Sequence, residues 1–296
     1  MEGTKSGTGE DAMNVAIEIE PTKTERGENF PVASLLIAPR LRGDVLAFYR
    51  FARAADDIAD HPSLSEREKF AGLDALEDTL IGKRDSAAAA LPLRHVLAKR
   101  NLPPTHPLDL LSAFRTDVTK RRYEDWAELM NYCRYSAMPV GRIVLDLHGE
   151  APSTYAFSDP LCSALQVINH LQDCGKDYAE LDRVYLPLDM MDAHGARVEE
   201  LGAAQSSPGL LACLRSLVEK TGSLMPEASK LPLAVKNTRL GLETGAIVAL
   251  AQNLLEMLKV RDPLSESVHL SRGAMLLEGL RGAGRTFSAR WRRKGE

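Results

Sequence analysis

From Phe30 onward, apolar residues recur at steps of three and four, and each run stops at a break rich in proline, glycine or short polar residues. The pattern predicts helix after helix, over 41–60, 65–82, 87–100, 106–120, 125–149, 158–180, 207–229, 233–259 and 266–290, with breakers such as "HPS", "NLPPTHP" and "DRVYLP" between them. No run alternates apolar and polar residues as the strands of a parallel sheet between these helices would. The expectation is an all-α chain. Residues 26–296 form one domain, because no gap is long and polar enough to be a linker and no repeat recurs at solenoid periods. Residues 1–25 hold only scattered apolar positions and read as a mobile leader.

Two of the helices turn acidic. In "FARAADDIAD" (51–60) Asp56 and Asp60 share a helix face, whereas Asp57 is rotated by roughly 100°. Arg53 lies one turn before Asp57. Alone, this stretch fits either a solvated helix end, with Asp57 paired to Arg53, or one half of a metal site. In "ALQVINHLQDCGKDYAELDRVYLP" (164–187), Gln166, Asn169, Asp173 and Asp177 recur at three- and four-residue steps and make a polar stripe between apolar flanks. His170 beside it reads as a packing or supporting residue. Two helices with carboxylates four apart can face each other across a wet cavity. Oxygen-only ligands of this kind suit Mg²⁺, which keeps several waters and is completed by substrate phosphate. Without a cation, repulsion and desolvation would drive some of these carboxylates to protonate.

Composition narrows the partners. A net charge of −4 and a pI near 6.0 give no overall positive field for nucleic acid. The four cysteines show no C-x-x-C spacing and no secretory signal opens the chain, so a reducing cytoplasm is expected. The longest apolar run, "AIVALA" (246–251), is far short of the roughly 20 residues that span a bilayer. The basic tail "RWRRKGE" reads as a solvated helix end, with peripheral contact to an anionic membrane face as the alternative. "GLRGAG" (279–284) follows no strand, so no NADPH site is expected, and the lone "ESVH" (266–269) falls short of a di-iron pattern.

The two acidic motifs, with "ENFPVAS" (28–34), "FYRFARAADDIAD" (48–60), "YCRYSAMPVGR" (132–142) and "NHLQDCGKDY" (169–178), resemble the squalene/phytoene synthase family, and within it the branch that makes hydroxysqualene. The resemblance implies an all-α isoprenoid synthase fold around a central hydrophobic cavity. Asp56, Asp57, Asp60, Asn169, Asp173 and Asp177 would then hold Mg²⁺, with Asp57 the least favourably turned. Arg53, Tyr132, Gln166 and Asn169 would act in catalysis, Arg53 on the leaving diphosphate and Tyr132 near the reacting carbons. Asn29, Phe30, Tyr49, Arg53, Gln172, Arg261 and Arg272 would contact a prenyl diphosphate. Phe30, Phe48, Tyr49, Phe51 and Tyr132 could offer π-faces to a carbocation. Gln172 stands where the family usually carries Arg, which favours presqualene diphosphate over farnesyl diphosphate as substrate. The expected reaction is ionisation, rearrangement and capture by water to give hydroxysqualene. The alternatives are condensation of two prenyl diphosphates, as in presqualene diphosphate, squalene or phytoene synthesis, and a silent isoprenoid-binding relative.

Overall fold

The structure, a computed structural model, describes residues 38–295, so the leader and the candidates Asn29 and Phe30 lie outside the described residues. The helices are α1 (Pro39–Asp60), α2 (Glu66–Leu80), α3 (Leu91–Arg100), α4 (Thr105–Thr119), α5 (Trp126–Ser136), α6 (Met138–Leu147), α7 (Tyr155–Gln172), α8 (Cys174–Leu181), α9 (Leu188–Ala193), α10 (Pro208–Gly222), α11 (Met225–Ala228), α12 (Leu231–Ala234), α13 (Thr238–Val260) and α14 (Arg272–Gly295). Among the described residues the only β pairing is an isolated bridge between Arg122 and Val184. The chain is all-α, as its periodicity predicts.

Local chemistry sets the helix ends. Ser65 and Glu68 form a reciprocal capping box at the start of α2, and Asp125, Ser207 and Asn237 cap α5, α10 and α13 with side-chain oxygens. The predicted 125–149 helix divides at Ala137, whose φ of −120° leaves the helical region just before Pro139 in the first turn of α6. The predicted 207–229 helix also divides ahead of Pro226, here at Ser223 and Leu224, whose backbones stay in the helical region. The 158–180 segment divides at Asp173, which ends α7 and opens α8.

Two apolar cores result. Phe51, Leu73, Leu93 and Leu111 anchor one between α1, α2, α3 and α4. Leu129, Val167, Ile168, Leu214 and Leu254 anchor the larger one among α5, α7, α10 and α13. Buried Glu150 ties the turn after α6 to the start of α13, because its carboxylate accepts the Lys236 and Asn237 backbone N–H groups at 2.7 Å each. That tie fixes α13 beside α7, and between the two cores a cavity remains.

Candidate active site

The cavity has a volume of about 590 Å³, within the range usual for small-molecule sites. Its walls are graded. On α1 the lining runs from Val45 and Phe48 through Tyr49 and Ala52 to Arg53, Asp56 and Asp60. On α7 and α8 it runs from Leu161 and Leu165 through Gln166 and Asn169 to Asp173 and Asp177. Both walls pass from apolar to acidic in the chain direction, because a helix places residues three and four apart on one face. The break at Asp173 does not interrupt this, since Asp173 and Asp177 both still face the cavity.

The polar side chains hold one another in place. Arg53 Nη1 lies 2.8 Å from Asp56, and its Nη2 donates to Asp57. Gln166 Nε2 is 3.2 Å from His170 Nε2, and His170 Nδ1 is 3.9 Å from Asp177. The His170 ring stacks on Tyr185 with centroids 3.5 Å apart, so it packs and supports, as its sequence position suggests, while also lining the cavity.

The structure also brings in residues that the sequence reading passed over. Arg183, from the breaker "DRVYLP", is buried; it donates from Nη1 to Asp60 at 2.6 Å and from Nη2 to the Asp117 carbonyl at 2.9 Å. The buried Asp117 carboxylate accepts the Tyr132 hydroxyl at 3.0 Å and the Tyr185 hydroxyl at 3.5 Å. Burial pushes the Asp117 pKa up to about 7, against the pull of Arg183 and the Tyr132 hydrogen bond. Burial likewise holds the Tyr132 and Tyr185 phenols well above their ordinary range, so both remain protonated donors. Glu243 and Thr244 of α13 line the wall near Leu240 and Ile247. No local pattern in the sequence marks Arg183 or Asp117.

Several candidates face elsewhere. Asp57 is buried against Arg53 and does not line the cavity, because the 100° rotation turns it into the protein. Phe51 is fully buried in the α1–α4 core for the same reason. Gln172 is buried, its Nε2 donates to the Val268 carbonyl at 2.5 Å, anchoring the connection between α13 and α14, and it does not line the cavity. The charge argument drawn from Gln172 therefore loses its geometric basis. Arg261 donates to the Ser267 carbonyl at 3.2 Å, and exposed Arg272 opens α14; neither lines the cavity.

Among the described residues, no three His, Cys, Asp or Glu side chains converge closely enough to cage a metal by themselves. Carboxylate and amide oxygens are the donors Mg²⁺ takes, typically one or two carboxylates with water and substrate phosphate completing its octahedron. The donor set at the acidic end is all oxygen and amide: Asp56, Asp60, Asn169, Asp173 and Asp177.

A helical bundle whose apolar cavity ends in two carboxylate pairs belongs to the isoprenoid synthase class of folds. The chain is a member of the squalene/phytoene synthase family, whose model matches residues 23–274. It is 56% identical over 258 residues to hydroxysqualene synthase of Rhodopseudomonas palustris, covering 87% of this chain and 88% of that protein. It is 47% identical over 269 residues to hydroxysqualene synthase of Zymomonas mobilis, covering 90% and 91%. Among solved structures, squalene synthase HpnC from Alicyclobacillus acidocaldarius superposes with a TM-score of 0.69 at 33% identity, covering 79% of this chain and 89% of that one.

Proposed function

We propose that this chain converts presqualene diphosphate and water to hydroxysqualene and diphosphate. The observation that carries the reading is the pairing of 56% identity to a hydroxysqualene synthase with one cavity onto which both acidic motifs, Arg53, Tyr132, Gln166 and Asn169 open. The cyclopropylcarbinyl C–O bond breaks with its electron pair leaving on diphosphate, the resulting cyclopropylcarbinyl cation rearranges, and a water oxygen forms the new C–O bond and loses a proton. Such a reaction needs fixed positive charge at the leaving group and a dry, shaped pocket for the cation. Asp56, Asp60, Asp173 and Asp177, with Asn169, would hold Mg²⁺, which when bound neutralises charge on the diphosphate.

The chain's own groups supply the rest. Arg53 presents a cation beside Asp56 at the acidic end, where the diphosphate would sit. Tyr132, fixed by its bond to Asp117, keeps a π-face near the apolar wall formed by Phe48, Phe114 and Leu165, where a cation is stabilised without being trapped by a nucleophile. The Gln166–His170–Asp177 chain holds polar atoms at the boundary between the two ends.

The test is incubation of the purified protein with Mg²⁺ and either presqualene or farnesyl diphosphate, followed by analysis of the extracted lipids. Hydroxysqualene from presqualene diphosphate is the expected result. Consumption of farnesyl diphosphate alone would assign the chain to the condensing members of the family, and no turnover of either would favour a silent isoprenoid-binding relative.

A further inference from the structure

α14 packs on α13 through its smallest residues. Gly282 and Gly245 approach so closely that a Cβ on Gly282 would stand 2.3 Å from the Gly245 carbonyl oxygen, and Thr286 fills the next position on that face. Arg290 folds inward to donate to the Pro232 and Val235 carbonyls. The large apolar residues of the helix lie on the side the fold does not use: Leu276, Leu280, Phe287 and Trp291 are 65%, 62%, 54% and 72% exposed. Their spacing of four, seven and four residues places them on one stripe, roughly within a 60° arc, with exposed Leu277 at its margin.

Charge gathers on a second exposed face. Arg281, Arg285 and Arg292 cluster roughly 130° around the helix from the centre of the stripe, and α14 up to Arg293 holds a single acid, Glu278, paired with Arg281, in a chain whose net charge is −4. A solvated helix end accounts for basic residues but not for a contiguous apolar stripe with an indole and a phenyl ring at its C-terminal half. An apolar face and an arginine-rich face on one helix, with aromatics at the boundary, are the pattern of a helix that lies in a lipid interface. No described helix is long and apolar enough to cross a bilayer, so contact would be from one side.

We propose that α14 docks this protein on an anionic bilayer surface, with Leu276, Leu280, Phe287 and Trp291 in the acyl boundary and Arg281, Arg285 and Arg292 on lipid phosphates. The occupant is lipid, because a basic face carried on the same exposed helix as the apolar stripe, in a chain of net charge −4, matches anionic headgroups above an acyl boundary. The surface stands apart from the cavity and does not depend on the reaction assigned to it.

The experiment uses the full chain carrying Trp126→Phe, which leaves Trp291 as the only indole. Vesicles of phosphatidylcholine alone are compared with vesicles of equal parts phosphatidylcholine and phosphatidylglycerol. Docking predicts co-sedimentation with the anionic vesicles, weakening with salt, and a blue shift of Trp291 emission when they are added. Arg281→Glu with Arg285→Glu should lower the partition coefficient by well over tenfold, since each basic residue near such a surface is worth roughly a fivefold change. Leu280→Glu should do the same without altering the circular dichroism spectrum, because that side chain is mostly exposed. Three results would each overturn the proposal: no binding to anionic vesicles, equal binding by these variants, or an emission already blue-shifted in buffer and unmoved by lipid. The last would mean that residues 1–37 or a second copy covers the stripe.

Discussion

Arg183 reaches Asp60 across 123 residues of chain, with 2.6 Å between Nη1 and Oδ1, and so locks the breaker after α8 onto the acidic end of α1. The same guanidinium holds the Asp117 carbonyl on α4. One buried cation thereby aligns a carboxylate assigned to metal with the carboxylate that orients Tyr132.

Removing that cation should cost both stability and activity. Arg183→Met leaves Asp117 buried without its neighbouring charge, and the loss should be about 2–4 kcal/mol in urea unfolding, the lower end reflecting the one-third exposure of the Asp60 side chain. Arg183→Lys supplies charge but not the fork that spans both partners, so it should recover most of the stability and only part of the turnover. Equal stability in all three proteins would show that the contact holds nothing in place.

Asp117 makes stability depend on pH in a definite direction. Its folded pKa, about 7, lies above the ordinary carboxyl value of 3.8, so between these values the folded state binds the extra proton. Stability from this group is therefore greatest in acid and falls as pH rises from about 4 to about 7. Asp117→Asn removes the titration while keeping an acceptor for the Tyr132 hydroxyl. The difference in unfolding free energy between wild type and this variant should shift against wild type between about pH 5 and about pH 8. A difference that stays flat, or moves the other way, contradicts the assigned burial of the charge.

Two neighbouring aspartates should behave in opposite ways. Asp56→Asn alters a partly exposed side chain in the cavity wall and should lower turnover by at least about a hundredfold with little change in unfolding midpoint. Asp57→Asn removes a buried partner of Arg53 and should cost roughly 1–3 kcal/mol of stability, with a smaller, indirect loss of activity. Paired measurements of kcat and urea midpoint check both. A larger catalytic loss at Asp57 would return that residue to the metal site.

How far the chain could be read in advance follows from where its information is stored. α1 and α7 were legible because their apolar and acidic positions repeat at helical spacing within a single segment, and the cavity's two ends are written along each helix. The breaks at Ala137 and Asp173 were missed because a proline in a first turn, or one residue outside the helical region, hardly disturbs the hydrophobic period. Arg183, Asp117 and Tyr185 carry no local pattern. Their roles come from contacts 66 and 68 residues apart and more. Gln172 was legible as a departure from a motif but not as a core amide, since its partner, the Val268 carbonyl, lies 96 residues away.

The glycines of "GLRGAG" can now be separated by function. Gly282 sits where a Cβ would press 2.3 Å from the Gly245 carbonyl oxygen and 2.7 Å from the Ala249 side chain, whereas Gly284 has nothing within 4 Å. A clash with backbone cannot be relieved by a rotamer change, so Gly282→Ala must push α14 away from α13, and overpacking of this kind typically costs about 1–3 kcal/mol. Gly284→Ala meets open space in a helix interior and should stabilise by roughly 0.5–1 kcal/mol, because alanine loses less backbone freedom on folding. Thermal unfolding of the two variants beside wild type is the check, with midpoints expected on opposite sides of the wild-type value. If Gly282→Ala unfolds with Gly284→Ala, the close contact between α13 and α14 does not exist, and the face that α14 turns outward would have to be reassigned with it.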